Sequence, residues 1–155
     1  MENLLEKIDF QTFVPLVVAV ILGGLIGLER EIHRKPAGLR TNILICMGAA
    51  TFMLIAEKMT SDPSSIARLT AGIVTGVGFI GGGAVLRDQA NIYGVTTAAT
   101  IWVVTSIGIA CGMRLYAISI AATILSLLVL TVLSPLDKKI HKAEQEAEPH
   151  KKEPP

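Results

Sequence analysis

Five long apolar stretches, separated by short charged segments, dominate the sequence. The uncharged runs cover residues 10–28, 41–56, 69–86, 89–113 and 115–136. A helix that crosses a hydrocarbon core of about 30 Å needs about 20 residues, and these runs contain 16 to 25 residues. The pattern therefore predicts an all-α integral membrane bundle of about five transmembrane helices.

The first two runs each leave an alternative to a simple span. The second run is short, although tilting of the helix or local thinning of the bilayer accommodates such a length. The first run could be a cleaved signal peptide, but its flank, residues 1–3, is not basic, and no small-x-small cleavage site precedes Glu29. We therefore expect a retained helix there.

Composition supports the same division of the chain. Hydrophobic residues make up 51% of the sequence and charged residues only 17%. We expect a short N-terminal segment at 1–9, a transmembrane domain at 10–136 and a disordered charged tail at 137–155, because the tail is too polar to build a core.

The basic residues indicate an orientation. If five helices alternate in direction, ten of the 14 Lys and Arg residues lie on one side of the membrane and four on the other. The positive-inside rule then predicts an N-terminus outside and a cytoplasmic tail. Residues 112–114 form a very tight outer turn in this topology, and Gly112 would supply its permissive backbone.

Glycines recur at a spacing of four residues in three of the predicted helices, a pattern that lets helix backbones approach closely in lipid. These helix-packing candidates are Gly23, Gly27, Gly72, Gly76, Gly78, Gly82, Gly108 and Gly112. Residues 76–81 also match the G-x-G-x-x-G dinucleotide pattern. We reject that interpretation, because no strand precedes the motif and no acidic residue follows at about 20 positions.

Charges of both signs gather at the predicted cytoplasmic ends of helices one, two and three. They are Glu29, Arg30, Glu31, Arg40, Arg87 and Asp88, with Asn42 just inside helix two. Each one could simply snorkel to the interface, whereas the set could line a shallow polar vestibule. The carboxylates suit Mg²⁺, but the arginines suit an ion-pair network or an anionic group equally well. Thr96 or Thr97 would cap helix four, whose dipole also favours an anion.

The other polar residues do not indicate a metal site or an enzymatic site. His33, His141 and His150 share no metal-binding spacing, so we expect no metal and no cofactor. No nucleophile with an activating base is readable, which argues against an enzyme. Net charge is +1, so nucleic acid is not an expected partner.

The sequence also predicts the contacts of four further residues. Cys46 and Cys111 should be packing residues near opposite membrane faces, too far apart for a disulfide. Trp102 should pack against a neighbouring helix. Glu57 has no evident partner beyond nearby Lys58 and Arg68.

Four ordered motifs resemble the MgtC/SapB family, over roughly residues 21–113. They are Gly-Leu-Glu-Arg-Glu at 27–31, Lys-Pro-Ala-Gly-Leu-Arg-Thr at 35–41, the glycine-rich stretch 76–83 and Gly-Val-Thr-Thr-Ala-Ala-Thr-Ile-Trp at 94–102. The resemblance implies a bacterial inner-membrane helix bundle. It also implies that Asp88, Asn91, Thr97 and Cys111 lie in the stretch that the family uses functionally.

The same resemblance implies a role in adaptation to low magnesium, acid or life inside host cells, through membrane partners such as the F-type ATP synthase. Many family members carry a C-terminal cytoplasmic domain, and here the corresponding function would be absent or supplied by another chain. We expect a non-enzymatic regulator of membrane partners, with a transporter of Mg²⁺ or another ion or small solute as the alternative. The protein could also form a homo-oligomer, and the sequence leaves this open.

Overall fold

The structure is a computed structural model that describes residues 10–88 and 91–133, with the backbone alone described at 10, 11, 86–88 and 91. Its helices, in chain order, are α1 (Phe10–Ile32), α2 (Leu39–Met59), α3 (Pro63–Gly83), α4 (Val95–Gly112) and α5 (Tyr116–Val132). Two short strands, β1 (Leu86–Asp88) and β2 (Asn91–Tyr93), lie between α3 and α4. The expectations for the segment 1–9 and for the tail at 137–155 fall outside the described residues.

The predicted helical architecture is confirmed. Within the described residues, four helices are long and apolar enough to cross a membrane: Thr12–Ile32, Leu39–Met59, Pro63–Gly83 and Val95–Gly112. The fifth, Tyr116–Val132, is apolar and slightly shorter, with 17 residues. The chain is therefore a multi-pass membrane protein.

A two-stranded antiparallel ribbon precedes α4 and was not predicted. Leu86 pairs with Tyr93 and Asp88 with Asn91. Gly94 ends the ribbon with a φ of 87°, and a side chain there would collide with the carbonyl oxygen of Ala84. The ribbon escaped prediction because its second strand continues, without a charge, into the apolar run of α4.

Two tight turns between helices end in the same hydrogen-bond pattern, with an arginine in the left-handed conformation. Arg34 has a φ of 52°, and Lys35 N–H donates to Arg30 O at 2.9 Å. Arg114 has a φ of 59°, and Leu115 N–H donates to Ala110 O at 2.8 Å. Both arrangements close a helix as glycine usually does. The prediction that Gly112 supplies the permissive backbone is therefore wrong, because Arg114 takes that conformation.

The core lies around α4, which contacts all the other helices, whereas α3 is peripheral. The largest buried cluster joins α1, α2 and α4 through Ala19, Leu22, Ile26, Cys46, Ala50, Val104, Ile107 and Cys111. In α3, only Val77 and Gly81 are buried. Trp102, which we expected to pack against a neighbouring helix, has a side chain that is 54% exposed.

The two cysteines are neighbours in this core. Both are free and fully buried, and both belong to the cluster that joins α1, α2 and α4. Their predicted separation to opposite membrane faces is wrong. The reason is that α4 is shifted along α2, so that Gly108, near the end of α4, lies against Cys46, near the start of α2.

Candidate functional site

The polar end of the bundle, where α1 ends and α2 and α4 begin, holds a buried arginine. Arg30 Nη2 donates a 2.9 Å hydrogen bond to Thr97 Oγ1, although 67 positions separate the two residues. Arg30 is 4% exposed and Thr97 3% exposed. The bond ties the last turn of α1 to the first turn of α4.

A close approach of α1 and α2 positions this end of the bundle. A Cβ atom at Gly27 would lie 2.8 Å from Leu39 Cα and 2.9 Å from Leu39 O, nearer than real Cβ atoms come. Glu31 Oε2 accepts a hydrogen bond of 3.1 Å from Leu39 N–H and so satisfies one free amide of α2. Glycine is therefore needed at position 27 to bring the two helix ends together.

Asn42 holds the loop that joins α1 to α2. Its side-chain amide is fully buried and donates to Gly38 O at 2.9 Å and also to Ala37 O. Ala37 has a φ of 55°, a conformation that this pair of bonds helps to maintain. Asn42 thus has a structural role that the sequence did not reveal.

Glu29 precedes Arg30 on α1, but its carboxylate contacts His33 instead of Arg30. Its Oε1 lies 3.1 Å from His33 Nδ1, one turn further along the helix. The Glu29 side chain is 8% exposed and the His33 side chain 49% exposed. Across residues 10–88 and 91–133, no ion pair within 4.0 Å joins Glu29 to Arg30.

Three buried polar atoms of this region have no hydrogen-bond partner among the described residues. They are Glu29 Oε2, Arg30 Nε and Asn42 Oδ1. We call Glu29, Arg30, Asn42 and Thr97 the Arg30 cluster. A buried polar atom without a partner costs about 1–3 kcal/mol, so the cluster is suited to taking up further polar groups.

The start of α4 adds donors to the Arg30 cluster. The N-cap of α4 is Gly94, and no side chain makes a cap hydrogen bond there. The prediction that Thr96 or Thr97 caps this helix is therefore wrong, because both residues lie inside the first turn. The free amides and the positive end of the helix dipole favour an anionic group, as the sequence indicated.

The remaining residues predicted for the site are Arg40, Arg87, Asp88, Asn91 and Cys111. Arg40 is exposed on the first turn of α2 and makes no ion pair with another described residue. The side chains of Arg87, Asp88 and Asn91 lie outside the described residues. Cys111 belongs to the apolar core with Cys46 and takes no part in the Arg30 cluster. No group of three metal-ligating side chains occurs in the described part of the chain.

At the opposite end of the bundle, sequence reasoning missed an ion pair. Arg114 Nη1 lies 2.7 Å from Glu57 Oε2 and 2.9 Å from Glu57 Oε1. Glu57 was expected to have no partner beyond Lys58 and Arg68. The predicted topology puts both residues on the same side of the membrane, but only the direct packing of α2 against α4, which the sequence does not reveal, brings them together.

The glycine pairs fall into two groups. A Cβ atom at Gly23 would lie 2.7 Å from Cys46 Cβ, one at Gly112 would lie 2.6 Å from Met53 Cβ, and one at Gly108 would overlap Cys46 O. These glycines and Gly27 therefore lie at backbone contacts with α2. By contrast, nothing lies within 4 Å of the same position at any of four glycines in α3: Gly72, Gly76, Gly78 and Gly82.

The fold and the glycine contacts define a class of protein, a compact multi-pass helical membrane protein with a buried charge at one end. The sequence profile of the MgtC family matches residues 16–139, and the chain belongs to that family. No solved structure matches the chain.

Curated relatives agree with this assignment. "Protein MgtC" of Salmonella paratyphi A is 40% identical over 143 residues, 92% of this chain and 61% of the relative. "Protein MgtC" of Brucella abortus is 42% identical over 81% of this chain and 52% of the relative. "Putative magnesium transporter YhiD" of Escherichia coli is 43% identical over 79% of this chain and 60% of the relative. The chain spans about three fifths of the length of the Salmonella relatives.

Proposed function

We propose that this protein is a non-enzymatic regulator in the bacterial inner membrane, which acts by binding transmembrane helices of other membrane proteins during adaptation to low magnesium. One observation carries the proposal. Gly72, Gly76, Gly78 and Gly82 of α3 are open to the surroundings, whereas the paired glycines of α1 and α4 are occupied by packing within the chain.

The open glycines form part of a continuous surface. Gly72, Gly76 and Phe79 recur at the spacing of one helix face, and Phe79 is 87% exposed. We call these three residues the α3 face. Small residues at such a face let another helix approach the backbone closely, which is how helices associate in lipid.

A groove beside the α3 face adds a second feature of a helix-binding surface. It lies between α2 and α3, has a volume of about 330 Å³, and includes Gly48, Phe52, Gly76 and Ile80 in its walls. A Cβ atom placed at Gly48 would also meet nothing within 4 Å. A transmembrane helix of a partner, rather than a soluble ligand, suits so apolar a groove.

The link to magnesium limitation rests on the family and on the printed name of one relative. A virulence role, a place in stress adaptation, and the F-type ATP synthase as partner are proposed on the resemblance alone. The cytoplasmic position of the polar end of the bundle is proposed from the distribution of basic residues.

Rescue of a bacterium that lacks its MgtC-family gene tests the proposal. Gly76→Leu should fill the open face and abolish growth in low-Mg²⁺ medium while the variant inserts at normal levels. Ala121→Leu, a comparable addition at an exposed position on α5, is the matched control and should rescue growth. Full rescue by Gly76→Leu would overturn the proposal.

A transporter remains the second candidate, because the Arg30 cluster places buried polar atoms without partners at one end of the bundle. The apolar cluster of α1, α2 and α4 lies beyond it and offers no evident polar route through the described residues of a single chain. Purified protein in liposomes should therefore show no Mg²⁺ flux above empty vesicles. Flux that is lost in Arg30→Gln but kept in Arg40→Gln would favour the transporter.

A further inference from the structure

The Arg30 guanidinium is a buried charge with incomplete hydrogen bonding. Its Nη2 donates to the neutral hydroxyl of Thr97, its Nε has no partner, and no carboxylate among the described residues lies within 4.0 Å. A buried charge is normally paired, because desolvation of an unpaired charge is costly. The arrangement calls for an acceptor group, preferably an anion.

The surroundings of Arg30 favour the same type of group. Thr97 lies in the first turn of α4, an 18-residue helix whose N-terminal amides have no side-chain cap. A helix N-terminus together with an arginine is a favourable setting for a phosphate group. The geometry thus combines two independent features that attract an oxyanion.

An apolar cleft lies beside this polar end of the bundle. It has a volume of about 270 Å³ and lies between α1, α4 and α5. Ile26, one turn before Arg30, lines the cleft, and so do Thr96 and Thr100, which flank Thr97 in α4. The rest of the lining is mostly aliphatic, from Ala99, Val103, Leu125, Val129 and Leu130.

From this juxtaposition we propose that the protein holds one phospholipid, with the phosphate at Arg30 and the start of α4 and an acyl chain in the α1–α4–α5 cleft. A free phosphate would use the polar end but would have no need of the adjoining apolar cleft. The lipid site is separate from the α3 face and does not depend on the proposed regulatory function.

The unpaired acceptors of the cluster indicate which headgroups fit. Glu29 Oε2 and Asn42 Oδ1 are buried acceptors without donors among the described residues. Ethanolamine and glycerol headgroups carry N–H or O–H donors, whereas choline carries none. Phosphatidylethanolamine and phosphatidylglycerol should therefore bind more tightly than phosphatidylcholine.

Native mass spectrometry of the purified full chain, with each of these three lipids added in turn, tests the proposal. Arg30→Gln should weaken binding of the preferred lipid at least about tenfold, since a charge-assisted hydrogen bond is lost. Arg40→Gln, which removes an equal charge at the same end of the bundle, should leave binding unchanged. Equal losses in the two variants would reduce the effect to general charge attraction and overturn the proposal.

Two further variants keep the test decisive if Arg30→Gln fails to fold. Ala99→Phe fills the cleft without touching Arg30 and should also weaken lipid binding, whereas Ala71→Phe, in a different surface groove beside α3, should not. Inorganic phosphate serves as the soluble probe in a thermal-shift assay. Two results together would contradict the proposed lipid: phosphate stabilises the protein as much as lipid does, and Ala99→Phe leaves lipid binding unchanged. The site would then bind a free anion.

Discussion

Arg30 Nη2 lies 2.9 Å from Thr97 Oγ1 and joins the end of α1 to the beginning of α4 inside the bundle. Neither residue is distinctive alone, since a Thr early in a helix and an Arg late in one are both common. Their contact makes the polar end of the bundle a buried site rather than a set of independent surface charges. It also places the unpaired Arg30 Nε next to a helix start that lacks a cap.

The close packing of α2 and α4 yields a prediction with an internal control. Gly108→Ala should lower the free energy of unfolding by about 1–3 kcal/mol, because its Cβ would overlap the Cys46 carbonyl oxygen and press on Ala49. Gly72→Ala, which meets nothing within 4 Å, should be neutral or stabilising by up to about 1 kcal/mol. Unfolding in detergent, followed by circular dichroism, measures both. Equal losses would contradict the helix contact.

The two cysteines report directly on the buried core. Cys46 and Cys111 are the chain's only cysteines and both are fully buried, so a water-soluble maleimide should label neither thiol in native membranes. Both should react after unfolding in hot detergent. A gel shift with a polymer-linked maleimide counts the labelled thiols. Rapid labelling of either thiol in the native protein would show that the bundle is packed differently.

Asp62, at the start of α3, predicts a pH-dependent contribution to stability. Hydrogen bonds from Ser65 and Ser64 hold the pKa of the Asp62 carboxyl below its ordinary value. Its contribution is therefore complete above the ordinary carboxyl pKa and is lost as pH falls through the lower pKa of the folded protein. The stability difference between wild type and Asp62→Ala should shrink on acidification.

Asp62→Asn is the control for this titration. Asparagine caps a helix about as well as aspartate but carries no titrating charge. The stability difference between Asp62→Asn and Asp62→Ala should stay constant over the same pH range. Parallel pH dependence of all three proteins would assign the effect to other groups.

The ion pair between Arg114 and Glu57 should contribute modestly. Both side chains are about one third exposed, so solvent screening weakens their attraction. A double-mutant cycle with Arg114→Gln and Glu57→Gln should give a coupling free energy of about 0.2–1 kcal/mol, and added salt should reduce it. A coupling of zero at low salt would mean that the two helix ends do not meet as described.

Much of the fold follows from hydrophobic patterning, because a bilayer requires each spanning segment to be long, apolar and helical. The five helices and the tight turn before Arg114 were predicted on that basis. The short ribbon at 86–93 was not, since three-residue strands leave no periodic signal. The pairing of helices was also unpredictable, and with it the burial of Cys46 and Cys111 in one cluster.

The candidate site, like the fold, was predictable only in part. The sequence indicated that charges gather at one end of the bundle, and the structure brings Arg30 and Thr97 into contact there. The sequence offered no means to distinguish buried Arg30 from exposed Arg40, since both stand at predicted helix ends. Likewise, glycines of identical spacing proved to be packed in α1 and α4 but open in α3. Such differences arise from tertiary contacts, which local spacing does not encode.

The most direct test of the α3 face is photo-crosslinking in living cells. A photoreactive amino acid replaces Phe79, which is 87% exposed on that face, or Leu125, which is 62% exposed on α5, as the control. We expect a discrete adduct with another membrane protein from position 79, most strongly in low-Mg²⁺ medium, and none from position 125. Adducts with lipid alone, or only with a second copy of this chain, would contradict regulation through a partner helix.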